Sequence, residues 1–324
     1  FEVESPLCFA DVRGQEHAKR ALEVAAAGGH NLLLMGPPGS GKTMCAQRLP
    51  TLLPELTFAE SLETTKIYSV AGELRPGQGL LRRRPFRCPH HSTSGPGLIG
   101  GGAWPRPGEV SLAHNGVLFL DEAPEFPRSI LEALRQPLED GVVTISRAAS
   151  TQRYPARVML VLSLNLCPCG RRGDLRKACR CTPNQVAQYV GRLSGPLLDR
   201  IDIQVEGPAV EYRERRGPRR GETSAAIRRR VVAARALQQE RFPGRTSPVN
   251  AAMTAAEVES CCALDPEGES LLRMAMTEFG LSGRAHSRIL KVARTIADLS
   301  GAPAIGPAHL SEAIQYRMAD RRGS

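Results

Sequence analysis

The 324-residue sequence predicts an α/β fold, a parallel sheet with flanking helices, followed by a smaller all-helical domain. Three short apolar runs, at residues 30–35, 117–120 and 158–164, are typical of buried strands, and helical patterns separate them. Past Pro208 the composition becomes charged and turn-prone, and it is then helical through Ala319. Since one hydrophobic core stops growing at about 250 to 300 residues, two domains are expected.

The domain boundaries are predicted from these changes in composition. An α/β domain at residues 1–210 is followed by a linker at 211–221 and a helical lid domain at 222–324. Three features of the α/β domain need a separate explanation. They are a glycine- and proline-rich insertion at about residues 69–108, two extended stretches around a turn at about 141–156, and a cysteine cluster at 167–181.

Composition indicates a globular protein outside the membrane. Hydrophobic residues make up 41% and charged residues 23%, and no run of about 18 apolar residues could cross a bilayer. No secretory signal opens the sequence, so a cytoplasmic location is expected, and Phe1 in place of Met suggests a fragment of a longer protein. The net charge of +10 favours nucleic acid as a partner, although it also fits solubility alone. Eight arginines between Arg213 and Arg230 fit a solvated linker as well as a polyanion contact.

The segment GPPGSGKT matches the pattern of a phosphate-binding loop, with an apolar strand before it and a helical pattern after it. Its glycines let backbone N–H groups close around phosphates, Lys42 reaches the β- and γ-phosphates, and Thr43 coordinates Mg²⁺. ATP and Mg²⁺ are therefore the predicted cofactors. The predicted nucleotide-binding residues of the loop are Gly36, Pro37, Pro38, Gly39, Ser40, Gly41, Lys42 and Thr43.

Polar residues follow the two other predicted strands. Asp121 and Glu122 end the run VLFLDE, where Asp121 would hold the Mg²⁺ shell and Glu122 would polarise the water that attacks the γ-phosphate. Glu125 is interpreted as a charge at a helix N-terminus. Asn165 ends the third strand, where its amide could hydrogen-bond the γ-phosphate or the attacking water. Together with the phosphate loop, these residues predict ATP hydrolysis.

Four longer segments carry a family resemblance: RPFRCPHHSTS, LIGGGAWPRPGEVSLAHNGVLFLDEAPEF, LEDGVVTISRAAST and LSGPLLDRIDIQVE. They resemble the ComM/YifB family, the magnesium-chelatase-like AAA+ ATPases, and the likeness spans nearly the whole chain. The resemblance implies a P-loop AAA+ sheet, a homo-hexameric ring and an N-terminal Lon-protease-like domain absent here. For the ComM members it implies branch-migration helicase activity during natural transformation.

The resemblance also implies roles for single residues. Arg200 would be the arginine finger that reaches a neighbour's ATP, and we expect it to have no role within its own subunit, which predicts a ring. Arg284 would be the second sensor arginine, with Arg288, one helical turn on, as the alternative.

Three further positions follow from the same resemblance. Asn165 takes the sensor position, although Leu166 stands where the family has proline. Val12 and Gln15 are expected near the adenine.

The cysteine cluster is independent of the ATP chemistry. Its two C-x-C pairs are nine residues apart, a spacing that four thiolates could close around a structural Zn²⁺. The predicted zinc ligands are Cys167, Cys169, Cys179 and Cys181. The alternative is four free buried thiols, since all nine cysteines are expected to be reduced. Cys261 and Cys262 fit a helical core better than a metal site.

Two kinds of motor remain open. Residues 141–156 resemble the hairpin with which minichromosome-maintenance helicases touch DNA, which favours a translocase on single-stranded or branched DNA. Arg147 is the leading predicted DNA contact in the pore of the ring, and Arg153 is the second. A run of arginines beside prolines fits the lining of this channel as well as it fits a solvated loop, namely Arg82, Arg83, Arg84 and Arg87. The alternative is a protein-remodelling or magnesium-chelatase-type motor without a nucleic-acid substrate. A binding module with a vestigial ATPase is disfavoured by the intact set of catalytic residues.

Overall fold

The computed structural model describes residues 7–102, 105–147, 150–173, 177–207 and 221–317. Its contacts group the chain into two compact units. We call them the P-loop unit (Phe1–Pro54, Asn165–Ala187 and Ile201–Ser324) and the hairpin unit (Glu55–Leu164 and Gln188–Arg200). The domain boundaries expected from composition stay a prediction, because ten of the eleven residues of the 211–221 linker lie outside the described ranges.

The strands in the described part of the chain are β1 (Leu32–Met35), β2 (Phe86–Arg87), β3 (Gly100–Gly101), β4 (Arg106–Pro107), β5 (Val117–Leu120), β6 (Val142–Arg147), β7 (Ser150–Pro155), β8 (Met159–Leu164) and β9 (Ile203–Glu206). The main sheet has five strands in the order β2-β5-β8-β1-β9. The pairs β2–β5, β5–β8 and β1–β9 are parallel, with Leu120 opposite Leu162 and Met35 opposite Glu206. The predicted parallel α/β sheet is thus confirmed.

The helices are α1 (Glu16–Gly28), α2 (Lys42–Arg48), α3 (Phe58–Ala71), α4 (Gly95–Ile99), α5 (Glu109–Leu112), α6 (Arg128–Ala133), α7 (Arg135–Asp140), α8 (Pro183–Val190), α9 (Gly195–Leu198), α10 (Ser224–Arg241), α11 (Ala255–Cys261), α12 (Pro266–Glu278), α13 (Gly283–Leu299) and α14 (Pro307–Gln315). The predicted helical C-terminal region is present as α10 to α14. In the described ranges, no helix is both long enough and apolar enough to span a membrane.

The three central strands form where the sequence has short, predominantly apolar runs. All residues of β5 and β8 are buried, as expected for a parallel sheet with helices on both faces. The edge strand β2 lies inside the stretch 69–108 that sequence reasoning treats as an insertion, so part of that stretch belongs to the sheet itself.

The C-terminal helices are held by side-chain caps and a buried ion network. Thr223, Thr254 and Ser282 each accept a hydrogen bond from the first turn of the helix that follows. Asp298, in α13, binds Arg241 and Arg294 at 2.7 and 3.0 Å, and its side chain is fully buried. Because removing one member of a buried ion pair leaves the other charge unpaired, this network fixes how these helices pack.

Candidate nucleotide site and its surroundings

The phosphate loop joins β1 to α2 in the P-loop unit. Gly36 and Gly41 have φ values of 151° and 91°, which side chains rarely adopt. A Cβ atom placed on Gly36 would lie 2.3 Å from the carbonyl oxygen of Gly207. Glycine is therefore required at Gly36 by close backbone approach, and at Gly41 by the turn into the helix.

Lys42 lies over this loop. Its Nζ donates to the carbonyl oxygens of Gly36 at 2.7 Å and Pro37 at 3.0 Å, and to Oδ1 of Asn165 at 3.2 Å. The structure thus brings together the lysine and the asparagine that were singled out from separate motifs. Thr43 follows at the second position of α2 and is half-buried.

The side chain of Gln15 reaches the same region through Gly207. A Cβ atom on Gly207 would lie 2.4 Å from Oε1 of Gln15, and the carbonyl of Gly207 contacts Gly36 of the loop. Val12 is 1% exposed and belongs to the core below. Both residues expected near the adenine are therefore within the P-loop unit, and Gln15 reaches the strand end that contacts the phosphate loop.

Asp121 and Glu122 lie at the end of β5 in the hairpin unit. The backbone N–H of Glu122 donates to Oδ1 of Asp121 at 3.1 Å and to Oγ of Ser163 at 3.0 Å, and Ser163 donates to Oδ1 of Asp121. Glu122 has a φ of 51°, and its side chain is exposed. Such a left-handed backbone is uncommon for a residue other than glycine.

Sequence reasoning missed Ser163. It is a fully buried polar residue within the apolar strand β8, two residues before Asn165. A buried hydroxyl in an apolar strand needs a hydrogen-bond partner. The serine in this run was therefore a sign in the sequence that a polar group lies beside the strand. Glu125 lies in the 3₁₀ turn Ala123–Glu125 and pairs with Arg192 at 3.7 Å.

Arg200 has a partner in its own chain. Its guanidinium forms an ion pair with Glu139 and donates to the carbonyl oxygen of Pro196 at 2.9 Å. The expectation that Arg200 has no role within its own subunit is therefore wrong. An arginine that reaches a neighbouring subunit must first leave Glu139.

The two candidate sensor arginines of α13 differ in their surroundings. Arg284 is exposed, whereas Arg288 donates to the carbonyl oxygen of Ile201 at 3.4 Å and to Oδ1 of Asp202 at 3.3 Å. Burial would raise the pKa of Asp202, but the hydrogen bond from His30 and the charge of Arg288 lower it below its ordinary value. Arg288 thus has a structural ion pair, and Arg284 remains the candidate sensor.

Two of the four arginines expected to line a channel are structural instead. Arg84 has a side chain only 10% exposed and binds both carboxylate oxygens of Glu60, at 3.0 and 2.9 Å. Arg87 binds Glu109 at 2.6 and 2.7 Å, and the pKa of Arg87 is raised by this pair. For Arg84 and Arg87 the channel expectation is wrong, because burial makes these ion pairs necessary to the packing.

The antiparallel hairpin β6–β7 occupies residues 142–155, with Thr144 opposite Arg153 and Arg147 opposite Ser150. Val143 and Ile145 are buried, whereas Arg153 is exposed. The side chain of Arg147 and residues 148–149 are not among the described parts of the chain. The hairpin therefore has one buried face and one polar face.

The four predicted zinc ligands come together in the P-loop unit. Their ligand atoms all lie within 4.8 Å of one another. All nine cysteines of the chain are free thiols. Cys262 is 3% exposed and belongs to the core, as its helical surroundings indicated.

Family models and known proteins match nearly the whole chain, including the phosphate loop and the hairpin. The family model for the magnesium chelatase subunit ChlI matches residues 8–215, and that for the C-terminal part of ChlI matches residues 221–317. The chain is 49% identical over 98% of its length to the competence protein ComM of Haemophilus influenzae, and 48% identical over 97% to the protein YifB of Escherichia coli. It spans 61% of the length of each.

A more distant relative is the magnesium-chelatase 38 kDa subunit of Rhodobacter capsulatus, 27% identical over 97% of this chain and 87% of that protein. The family implies ATPase activity, which the P-loop residues fit. The chain therefore belongs to the magnesium-chelatase-like AAA+ ATPases and, among them, to the ComM/YifB family.

Proposed function

We propose that this chain is the motor part of a hexameric, ATP-driven translocase that moves on single-stranded or branched DNA and migrates branches during natural transformation. The observation that carries the proposal is the path of the chain from the hairpin into β8. The hairpin ends at Pro155, and β8 begins four residues later, at Met159. The end of β8 presents Ser163 to the acid pair, and Asn165, which follows it, contacts Lys42. One stretch of backbone thus joins the proposed DNA contact to the proposed nucleotide contacts.

The residues of the loop fit Mg²⁺-ATP. Ser40 Oγ is buried and has no hydrogen-bond partner among the described residues, and a Cβ atom on Gly41 would contact only Met44, at 3.9 Å. The loop therefore has a buried hydroxyl to satisfy and open space beside its backbone. When bound, Mg²⁺-ATP supplies the phosphoanhydride bond to be hydrolysed and the metal charge that neutralises the phosphates.

Each remaining role belongs to a residue of this chain. Lys42 would neutralise phosphate oxygens, while Thr43 and Asp121 would hold the metal. Glu122 would take the proton of the attacking water, and Asn165 would orient that water or the γ-phosphate. The match to the magnesium chelatase family model supports this assignment. Nearby, Val12 and Gln15 are proposed to lie beside the adenine, and Arg284 to contact phosphate.

The ring is proposed from Arg200. We propose that this arginine exchanges Glu139 for the γ-phosphate bound to a neighbouring subunit, which would couple hydrolysis to assembly. A planar, permanently charged guanidinium suits both partners, because carboxylate and phosphate accept the same paired hydrogen bonds. The resemblance to ComM, whose name describes it as a competence protein, supports DNA as the substrate.

A magnesium-chelatase-type or protein-remodelling motor is the second candidate. The likeness to the 38 kDa magnesium-chelatase subunit covers 97% of this chain, so it includes the hairpin as well as the ATP-binding residues. The hairpin alone therefore does not separate the two functions, and an experiment with DNA must do so.

The deciding experiment measures ATP hydrolysis and DNA binding across salt concentrations. For the wild type we expect hydrolysis to rise with forked or branched DNA. For Arg147→Ala and Arg153→Ala we expect weaker DNA binding at every sequence, a salt slope shallower by about one, and nearly unchanged basal hydrolysis.

Arg273→Ala is the matched control, because it removes one exposed arginine from α12 without touching the hairpin. It should change DNA binding little. A wild-type protein that is hexameric, yet neither binds DNA nor hydrolyses ATP faster with it, would exclude the translocase in favour of the second candidate.

A further inference from the structure

The sulfur atoms of the cysteine cluster have the spacing of a metal-ligand set. Cys167 and Cys169 are 3.4 Å apart at sulfur, Cys169 and Cys179 are 3.7 Å apart, and Cys167 and Cys179 are 3.6 Å apart. Tetrahedral zinc with Zn–S bonds of about 2.3 Å places its sulfurs about 3.8 Å apart, whereas a disulfide places them about 2.05 Å apart. The cluster is thus too open for disulfides and close to the size needed for Zn²⁺.

Backbone groups already point at these sulfurs. The N–H of Arg172 donates to Sγ of Cys167 at 3.3 Å, and the N–H of Cys181 donates to Sγ of Cys179 at 3.4 Å. Donors of this kind orient the ligands of a metal site. Four unrelated thiols would not need such an arrangement.

The loop that carries the cluster rests on the phosphate loop. A Cβ atom placed on Gly170 would lie 2.7 Å from Cγ of Pro38, and one on Gly173 would lie 3.9 Å from Cδ of Pro37. Gly170 also donates its N–H to the carbonyl oxygen of Cys167 at 3.0 Å, which turns the backbone toward Pro38. The backbone of the cysteine loop therefore lies against the two prolines of GPPGSGKT, of which Pro37 is buried and Pro38 keeps an exposed face.

We propose that Cys167, Cys169, Cys179 and Cys181 bind one Zn²⁺, and that the metal holds residues 166–173 against Pro37 and Pro38 so that its occupancy sets the affinity for ATP. Zinc displaces the thiol protons, which pass to solvent, and no oxidant is required. Nine residues separate the two C-x-C pairs, so the metal would close a short loop. The predicted effect on ATP affinity rests on the proposed function, whereas the metal site itself does not. Neither part of the proposal requires DNA as the substrate.

The first measurement is the zinc content of protein purified without added metal, at equal concentrations of chain. One zinc per chain is expected for the wild type, and little for Cys179→Ser. Cys88→Ser, which alters an exposed cysteine outside the cluster, should keep its zinc. Replacing zinc with Co²⁺ should give the visible absorption of tetrahedral cobalt thiolate.

The second measurement is the dissociation constant for ATP with and without zinc. Removing the metal with a chelator should weaken ATP binding on the order of tenfold to a hundredfold, because a small displacement of a binding loop has effects of this size. Adding Zn²⁺ back should restore the affinity. Gly170→Ala tests the placement of the loop, since its Cβ would press on Pro38 and strain the left-handed backbone at a φ of 72°, while all four thiols remain.

Gly170→Ala should therefore keep its zinc yet bind ATP more weakly. This variant avoids the risk that loss of a ligand unfolds the chain, which circular dichroism of Cys179→Ser would show. The metal site is overturned if the purified protein holds no zinc and all four thiols react with a thiol reagent. It is also overturned if the mass of the protein is lower by two hydrogen atoms for each disulfide formed in the cluster. If the purified protein holds one zinc per chain, yet its ATP affinity stays the same after the zinc is removed, the coupling is overturned. If the zinc-loaded wild type does not bind ATP at all, the result contradicts the proposed ATPase instead.

Discussion

Lys42 Nζ and Asn165 Oδ1 are 3.2 Å apart and hydrogen-bonded, which joins the phosphate loop to the residue that follows β8. Because the oxygen of this amide faces the lysine, its NH₂ group is the part that can donate to a phosphate oxygen or to water. Asn165 therefore accepts a hydrogen bond from Lys42 with its oxygen, and the proposed function gives its NH₂ group a second role as donor to the reacting groups.

Asn165→Asp separates the acceptor role toward Lys42 from the proposed donor role. The aspartate keeps an acceptor for Lys42 but loses the donor and adds a negative charge near phosphate. We expect ATP hydrolysis to fall on the order of a hundredfold, as for loss of one donor to a transition state. Asn165→Ala should lose both the acceptor and the donor. Steady-state hydrolysis, with nucleotide binding measured separately, tests this, and wild-type hydrolysis by Asn165→Asp would contradict the donor role.

Glu122→Gln should bind ATP as the wild type does while hydrolysis falls by about 10²- to 10⁴-fold, because the general base is lost and the phosphate loop is not touched. The amide is nearly the same size and preserves the backbone contacts to Asp121 and Ser163. Fluorescent nucleotide binding and single-turnover hydrolysis measure the two effects. An equal loss of both would mean that Glu122 serves binding and not catalysis.

Mixed rings test whether Arg200 acts on a neighbouring subunit. Arg200→Ala and Lys42→Ala should each be nearly inactive alone, since one lacks the finger and the other cannot hold ATP. Mixed together, some hydrolysis should return at interfaces where an intact loop faces an intact arginine. Native mass spectrometry should confirm mixed assembly, and no recovery in such rings would argue against action in trans.

His114 is fixed as a neutral imidazole by its hydrogen bonds. Its Nδ1 accepts the backbone N–H of Arg157 at 3.0 Å, so the proton lies on Nε2, which is 3.0 Å from Glu63. Burial lowers the pKa of His114, the hydrogen bond to Glu63 opposes this, and the charge of Arg157 adds to the lowering. Protonation at Nδ1 would break the contact to Arg157.

The stability of the protein should therefore fall as the pH drops below about 6.5, the ordinary pKa of histidine. Because the folded pKa is lower than the unfolded one, the unfolded chain binds more protons in this range, and acid favours it. His114→Asn removes the titration and keeps an acceptor near Nδ1, so its melting temperature should fall less between about pH 7.5 and about pH 5.5. If the melting temperature falls equally with pH in the wild type and in His114→Asn, the acid sensitivity comes from groups other than His114.

Sequence reasoning found the parts of the site that depend on neighbours along the chain. Asp121 and Asn165 follow apolar runs that form strands, and a strand end fixes where the next side chain lies. Ser163 and Glu139 were missed because their partners lie 42 and 61 residues away in sequence. The same reason explains the error at Arg84, whose partner Glu60 lies on α3, 24 residues before it.

The short strand β2 shows the corresponding limit for the fold. Two residues are too few to give a periodic pattern, so Phe86 and Arg87 could not be recognised as part of the sheet. The contact of Gly170 with Pro38 was equally hidden, because a glycine carries no side chain whose polarity would indicate its surroundings.

The left-handed backbone of Glu122 sets stability and activity against each other. A residue other than glycine in this conformation costs on the order of 1 to 3 kcal/mol of folding free energy. Selection for a more stable fold would favour glycine here, and only selection for the carboxylate opposes it. If Glu122 is the general base, as proposed, a chain with glycine at this position would melt at a higher temperature and bind ATP without hydrolysing it. Thermostable relatives of this ATPase are therefore expected to gain their stability at positions other than this one.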